Sequence, residues 1–282
     1  NSGATETDDL ANEKFYEYEL TINKKYKGKS INLGIETSTA TYESNRIGIS
    51  EQFINSYSIF SQYDLRLFDY YNLIAGIRID KYSNYDFVYS PRIGVMYSHG
   101  RHWKLRTSWG KGFRTPSFME RFIDYDHLET FGYKVKGNNH LKPEESNGIT
   151  AGVEYFHPNV YQVSFTLYYN EFINHITEYY KGNQEYSYYN IDNTYQGLEI
   201  RGKWAVSSKL SSSWEINFVD NRFSDGEKIP NTQPFSASNR LSYKSANKPY
   251  GISINTKWTG SYIPSYHDVY SKSWISELVE QI

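Results

Sequence analysis

Apolar and polar side chains alternate with a period of two along most of the chain. In 102–113 the odd positions include Trp103, Leu105 and Trp109, and the even positions carry polar residues or glycine. A strand places successive side chains on opposite faces, so the pattern predicts strands with one apolar and one polar face. No comparable stretch has the 3.6-residue period of a helix, and the predicted fold class is all-β. The same alternation occurs in 18–24, 31–37, 57–67, 73–79, 93–97, 149–155, 161–169, 198–206, 210–218, 235–243 and 250–258.

The connections between these segments alternate in length. Short turns are predicted at 26–29, 68–70, 98–101, 158–159, 207–208 and 245–248. The other connections, most of them longer, are predicted at 45–52, 84–87, 116–146, 175–187 and 222–234. An up-and-down meander places the short turns at one end of the strands and the long loops at the other, as in outer-membrane barrels. A sandwich with Greek-key crossings has no such asymmetry, so a transmembrane antiparallel up-and-down β-barrel is predicted.

The number of strands indicates part of a larger barrel. About twelve strands are predicted in the 282 residues. A plugged transporter barrel has about 22 strands and, at the same spacing, would need about 520 residues. The chain is therefore predicted to form about half of such a wall, with a closed twelve-stranded barrel as the alternative. No signal-peptide pattern opens the sequence and no turn or cap closes it at 276–282, so a fragment is expected.

Composition and charge exclude several classes of function. The 30 Lys and Arg against 32 Asp and Glu give a net charge of −2, without the basic excess that nucleic-acid binding needs. The chain has no cysteine, which excludes disulfides, thiolate metal sites and a cysteine nucleophile. Apolar runs stay below about 18 residues, so no membrane-spanning helix is predicted. The 29 Tyr, 15 Phe and 6 Trp have apolar rings, many with a polar tip, that suit a membrane interface.

Two segments carry a resemblance to a known family. Residues 109–118 read WGKGFRTPSF, and residues 137–146 read GNNHLKPEES. They resemble the aromatic-Arg-Ala-Pro box and the Gly-Asn-Pro-x-Leu-Lys-Pro-Glu box of TonB-dependent outer-membrane receptors, and segments 75–94 and 189–199 resemble flanking patterns of that family. Thr115 stands where the first box usually has alanine. Asn139 stands where the second box usually has proline.

The resemblance implies a place in the cell and a set of partners. Residues 1–282 would be part of the receptor β-barrel domain, with the plug domain and the last strands outside this sequence. The protein would lie in the outer membrane of a Gram-negative bacterium, contact membrane lipid and couple through the plug to the TonB energy complex. A histidine between the two boxes is similar to the haem and haemoglobin receptors. Haem would then be the transported ligand, not a prosthetic group.

The segment between the boxes supplies the candidate ligand-binding residues. Haem iron is held by His, Met, Cys or Tyr side chains. His127 matches the barrel histidine of the haem receptors and is the candidate iron ligand. Residue chemistry alone favours a solvated loop histidine, and only the placement between the boxes gives the two explanations equal weight. Tyr125 and Tyr133 could cover a flat macrocycle, and Arg121 could pair with its propionates. His140 adds a second imidazole nearby.

Other readings of the cargo and of the class stay open. His175 and the tyrosines of 178–189 are predicted to lie in a loop, as an aromatic girdle or a stacking surface for a ligand. The same fold could carry a ferric siderophore or cobalamin in place of haem. From another class, the chain could be a closed twelve-stranded outer-membrane esterase or a passive porin. The esterase would need a nucleophilic serine within reach of a histidine near the long loops, and no such pair is predicted, so the protein is not expected to be an enzyme.

Overall fold

The computed structural model describes residues 11–44, 51–129, 132–245 and 250–262. These ranges form one 14-stranded sheet and one short helix, α1 (Phe118–Phe122). No helix within them is both long and apolar enough to cross a bilayer. The strands are β1 (Ala11–Tyr26), β2 (Lys29–Ser44), β3 (Gln52–Leu67), β4 (Tyr71–Tyr82), β5 (Tyr85–His99), β6 (Trp103–Arg114), β7 (Asp124–His127), β8 (Tyr133–Lys136), β9 (Glu144–His157), β10 (Tyr161–Gly182), β11 (Glu185–Ala205), β12 (Leu210–Phe223), β13 (Phe235–Lys244) and β14 (Gly251–Thr259).

The strands follow one another in an antiparallel meander, which confirms the all-β prediction. The order is β1-β2-β3-β4-β5-β6-β9-β10-β11-β12-β13-β14, and the β7–β8 hairpin joins this path through β8, which pairs with β11. Among the described residues, β1 and β14 stand at the two ends of the path. The closed twelve-stranded barrel considered above is therefore not observed. The predicted turn at 245–248, most of the connection at 45–52 and the chain end at 276–282 lie outside the described residues.

Two of the predicted connections, at 84–87 and 175–187, are tight two-residue turns. Residues 83–84 alone separate β4 from β5, and Asn183 and Gln184 alone separate β10 from β11. Both of these residues have positive φ, 52° and 60°. The prediction of a loop at 175–187 was wrong because tyrosines there occupy both faces of the strands, which removes the alternation that marks a strand. The resulting hairpin has strands of 22 and 21 residues, about twice what a barrel strand needs to cross a bilayer.

Burial is inverted relative to a water-soluble protein. Among the described residues the buried core hydrophobic side chains are Leu141, Ile176 and Tyr186. Polar groups such as Asp80, Glu144 and Asn193 are buried, while dozens of large apolar side chains along the strands are exposed. A two-layered sandwich would bury its apolar faces against each other. The distribution instead matches a sheet whose apolar face meets lipid, as predicted.

The chain divides into two compact units, and the first comprises 1–94, 109–147 and 172–192. Its strands β1–β4 keep one register, so that Leu20 lies opposite Ile35, and Ile35 opposite Ile59, on an apolar face. The opposite face is polar. There Arg78 donates to Glu36 Oε1 at 2.6 Å and to Asp80 Oδ1 at 2.8 Å.

The second unit comprises 95–108, 148–171 and 193–282 and shows the same division of faces. On its polar face the Arg201 guanidinium lies 2.9 Å from Glu199 Oε2 and 3.5 Å from Glu215 Oε1. Arg106 pairs with Glu154 at 3.1 Å. These ion pairs neutralise one another's charges on the polar face.

Candidate functional site

The first box ends β6 and starts α1. Pro116 is fully buried between them, and Ser117 caps the helix. The Glu120 backbone N–H donates to Ser117 Oγ at 3.2 Å, and the Ser117 backbone N–H donates to Glu120 Oε2 at 2.7 Å. This reciprocal capping box satisfies two backbone donors that a helix start leaves free. The pattern Ser-x-x-Glu at 117–120 was visible in the sequence, but a five-residue helix is too short to show a 3.6-residue period.

Arg114 joins the two boxes. Its Nε donates to Glu144 Oε2 at 2.6 Å and its Nη2 to Glu144 Oε1 at 2.7 Å. Nη1 and Nη2 also donate to the two carboxylate oxygens of Glu120, both at 3.0 Å. Two-pronged contacts of this kind combine charge with fixed geometry. The last residue of β6 thereby holds both α1 and the first residue of β9.

Charge at this junction lowers the pKa of a carboxyl group in α1. Partial burial alone would raise the pKa of Glu120, but the hydrogen bonds from Arg114 and from the Ser117 backbone hold that pKa below its usual value. A carboxyl with a lowered folded-state pKa stabilises the fold above its unfolded pKa, and the contribution disappears as the pH falls through the folded value.

We expect the α1 segment to lose protection only in acid. Hydrogen–deuterium exchange of 117–123, corrected for intrinsic rates, should be slow and constant from pH 7 to pH 5 and should accelerate below about pH 4. Glu120→Gln should exchange faster at pH 7 and show little further change in acid. Loss of protection between pH 7 and pH 5 in the unaltered protein would exclude this carboxyl as the cause.

Glu144 also connects the boxes to β10. Its Oε1 accepts a hydrogen bond from the Ile176 backbone N–H at 2.7 Å and lies 3.2 Å from His175 Nδ1. His175, predicted to open a loop, therefore lies in a strand beside the box residue.

Asparagine side chains hold the second box against the β10–β11 hairpin. Asn138 Nδ2 donates to the Tyr188 backbone carbonyl at 2.9 Å. Asn190 exchanges two hydrogen bonds with the backbone of Lys142, at 2.8 and 3.0 Å, and also donates to the Asn174 carbonyl at 2.6 Å. The sequence reading quoted Asn138 and Asn190 only as family pattern. These two asparagines, called the asparagine clamps below, bond to residues 48 to 50 positions away in the sequence, and no local pattern shows such pairs.

The β7–β8 hairpin docks on the tip of the β10–β11 hairpin. β8 pairs in parallel with β11 over 134–136 and 185–187. The Lys134 backbone N–H donates to the Gln184 carbonyl at 2.8 Å, and Lys134 Nζ lies 2.8 Å from Glu185 Oε2. The Lys134 ammonium lowers the pKa of the Glu185 carboxyl, and the carboxylate raises the pKa of Lys134. The segment between the boxes is thus held at both ends and in its middle.

The structure places the predicted site residues on this segment, but in different settings. His127 is the last residue of β7 and lies opposite Tyr133 in the hairpin register. The side chain of His127 lies outside what the structure describes. Tyr125 lies opposite Val135, and the Tyr133 ring meets the buried Tyr186 ring edge-on at 5.9 Å.

Arg121 and His140 lie away from the hairpin register. The Arg121 guanidinium stacks over the Phe122 ring at 4.6 Å and lies 5.9 Å from the Tyr85 ring, with Nε and Nη1 buried. His140 is exposed, and its backbone N–H donates to Asn138 Oδ1 at 3.0 Å. Four of the five residues therefore lie between the boxes and His140 lies in the second box. The described contacts bring together only the two strands that carry Tyr125, His127 and Tyr133.

The tyrosines of the β10–β11 hairpin contact one another across the two strands. Tyr180 and Tyr186 lie 5.3 Å apart, and Tyr179 and Tyr189 lie 4.9 Å apart. With Tyr133 above Tyr186, an aromatic cluster connects the hairpin to the segment between the boxes. Both functions predicted for these tyrosines, girdle and ligand stack, remain compatible with this position.

The whole strand pattern, with both boxes, agrees with one family model. The model for "TonB dependent receptor-like, beta-barrel" matches residues 5–275. The chain belongs to the TonB-dependent receptor family. This confirms the resemblance, and the family lies in the outer membrane of Gram-negative bacteria. In this TonB-dependent receptor the two boxes lie at the long-loop ends of β6 and β9, where Arg114 joins them through Glu144.

Relatives of this TonB-dependent receptor are longer than the chain. The chain is 27% identical to the iron-regulated outer membrane virulence protein of Vibrio cholerae serotype O1 over 143 aligned residues. This alignment covers 51% of this chain and 21% of the relative. The siderophore receptor PirA from Pseudomonas aeruginosa is 16% identical with a TM-score of 0.78, over 89% of this chain and 49% of PirA. The ferric enterobactin receptor PfeA from the same organism is 16% identical with a TM-score of 0.74, and the match covers 90% of this chain and 42% of PfeA. The two solved structures show a common fold, and the chain spans about half their length or less.

Proposed function

We propose that the complete receptor captures an iron-containing ligand at the long-loop end of its barrel and transports it across the outer membrane. The observation that carries the proposal is the segment 115–143, which is fixed to the barrel strands by Arg114 and Asn190 while it presents the β7–β8 hairpin. A ligand-binding segment needs such a rigid support. The named relatives, an iron-regulated protein and two siderophore receptors, support iron as the common element.

For the cargo we propose haem, with His127 as the iron ligand. The support is the family resemblance of this histidine and its backbone register position opposite Tyr133 on the neighbouring strand. Cross-strand partners have Cβ atoms about 4.5–5.5 Å apart, which is close enough for both side chains to contact one ligand. Tyr125 lies two residues from His127 on the same strand face.

A haem titration of the complete receptor tests this cargo. His127→Ala should weaken haem binding at least tenfold and should shift the Soret band, because an axial ligand is lost. His99→Ala is the matched control: it removes an exposed imidazole at the end of β5, beside a short turn, and should leave affinity and spectrum unchanged. If His127→Ala and the unaltered receptor have the same spectrum and affinity, haem is excluded as a ligand held by His127, and the barrel assignment is unaffected.

A ferric siderophore is the second candidate, and the aromatic cluster favours it. Tyr133, Tyr180 and Tyr186 form a continuous set of rings at the outer end of the β10–β11 hairpin. Such rings can stack on flat aryl groups of a chelator. Tyr133→Ala should then weaken binding of a ferric catecholate chelator, measured by tryptophan fluorescence quenching, while His127→Ala leaves it unchanged. The two variants therefore separate the two cargoes.

We further propose the TonB energy complex as the partner that drives release into the periplasm. The family assignment supports this, and the contact would be made by a domain outside this chain. Deleting the energy complex in the host should abolish uptake by the complete receptor while ligand binding at the cell surface persists. Uptake that continues unchanged would favour the passive porin reading.

A further inference from the structure

The lipid-facing side of β1–β4 changes character towards the short turns. Two successive cross-strand rows are mainly aliphatic, and the second runs from Ile22 through Leu33 and Ser61 to Ile77, with Ser61 as its one polar member. The next row runs from Lys24 through Ile31 to Tyr63, and the one after it pairs Tyr26 with Lys29. Because cross-strand partners lie on the same face, Lys24 and Lys29 belong to the surface that meets lipid.

We propose that Lys24, Lys29, Tyr26 and Tyr63 form a binding site for the headgroup of an anionic glycerophospholipid. Lys24 and Lys29 are diagonal neighbours on adjacent strands, a relation that places Cα atoms about 7–8 Å apart. Two flexible ammonium groups at that spacing can reach a single phosphate. The site is independent of the cargo proposed above.

Position and exposure favour a lipid over a soluble anion. The two lysines border the apolar rows directly, so that acyl chains would lie along Ile22 and Leu33 while the phosphate meets the ammonium groups. Tyr26 is 63% and Tyr63 37% exposed, which suits rings at the boundary between hydrocarbon and headgroup. Short turns of outer-membrane barrels face the periplasm. The site therefore faces the periplasmic leaflet.

The charge at this end of the strands is uncompensated among the described residues. Lys24 and Lys29 are exposed, and neither makes an ion pair within the ranges the structure describes. The turn between β1 and β2 adds Lys27. A cluster of lysines beside an apolar surface attracts anionic lipid, with a gain that adds up over the residues near the membrane.

The turn between β3 and β4 adds an aromatic anchor. Phe68 is 80% exposed and adopts a positive φ of 51°, a conformation that is costly for a bulky residue. Tyr70 in the same turn is exposed as well. Exposed rings held in an unfavourable backbone conformation suit insertion into the interfacial layer of a membrane, where aromatic side chains are stable.

The second unit offers an internal contrast. Near its short turns, the lipid-facing positions carry Trp103, Tyr155 and Tyr161. Trp103 meets the Tyr155 ring edge-on at 4.5 Å, and Tyr155 stacks on Tyr161 at 5.6 Å. This surface is aromatic without the lysine pair. We therefore expect the charge of the lipid headgroup to affect lipid binding at β1–β2 and not at the aromatic surface of the second unit.

Native mass spectrometry of the complete receptor in detergent, with added lipid, tests the site. The unaltered receptor should bind phosphatidylglycerol more tightly than phosphatidylcholine. Lys24→Gln with Lys29→Gln should weaken phosphatidylglycerol binding about 30-fold and leave phosphatidylcholine binding unchanged. Lys24→Arg with Lys29→Arg keeps both charges and should retain binding. Heat-modifiable migration on a gel verifies that each variant folds.

A matched control removes two lysines from the opposite face. Lys203 and Lys257 lie on polar-face rows of β11–β14, with Lys203 opposite Ser213 and Lys257 opposite Ser238. Lys203→Gln with Lys257→Gln should leave lipid binding unchanged. Any of three results would overturn the proposal. The two double variants could lose lipid binding equally, the unaltered receptor could bind both lipids equally, or an equal concentration of glycerol phosphate could displace the lipid. The last result would identify a soluble-anion site.

Discussion

Arg114→Ala should detach the segment between the two boxes from the barrel of the complete receptor. The guanidinium is held by four hydrogen bonds to Glu120 and Glu144. Without it, the Glu144 side chain, 10% exposed, keeps its charge without its main partner and lies near a second carboxylate. We expect a local destabilisation of about 2–4 kcal/mol. Hydrogen exchange of 117–143 should accelerate roughly 100-fold, and ligand affinity should fall with it.

Two further variants identify the cause of that effect. Arg114→Ala combined with Glu144→Gln removes the uncompensated charge and should recover part of the protection. Arg101→Ala, in the exposed turn before β6, removes an arginine without a comparable contact and should change nothing. If Arg114→Ala leaves exchange of 117–143 at the level of the unaltered receptor, the ion pairs do not hold the segment, and its support must come from the asparagine clamps.

The strands could be predicted from the sequence because each has one apolar and one polar face. That pattern is local, and it located β6 and β12 within a few residues. It failed at 175–187, where Tyr179, Tyr180, Tyr188 and Tyr189 lie in adjacent pairs. An amphipathic ring can lie on either face, so a run of tyrosines contains no period-two signal although it forms strands of regular geometry.

The site could be predicted as a set of segments but not as a set of contacts. The boxes around Arg114 and Glu144 were recognised, yet the 30-residue separation between these two side chains hides their pairing. The same holds for Asn190, whose two bonds to Lys142 require the register of β11 against the second box. Long-range pairing depends on the order of the strands, which the sequence pattern constrains only through loop lengths.

The close approach of the second box to α1 leads to the other large expected effect. Gly137 donates its backbone N–H to the Ile123 carbonyl at 2.7 Å, and the Asn138 N–H donates to the Glu120 carbonyl at 2.9 Å. A Cβ at Gly137 would lie 2.5–2.6 Å from backbone atoms of Arg121 and Phe122. Backbone atoms cannot rotate away as a flexible side chain does. Gly137→Ala should therefore separate α1 from the box and destabilise the segment by about 3 kcal/mol.

The measurements for Gly137→Ala are ligand affinity and hydrogen exchange of 117–143, with heat-modifiable migration as the test of an intact barrel. Gly110→Ala is the matched control, because a Cβ there meets its nearest neighbour, Arg92 Cβ, at an ordinary 3.4 Å. Gly137 is not among the glycines with positive φ, so the variant probes the close approach and not backbone freedom. Faster exchange with a folded barrel would show that α1 and the second box support each other. Normal exchange in the variant would mean that α1 can shift without cost, and that Arg114 and the asparagine clamps hold the segment without this close approach.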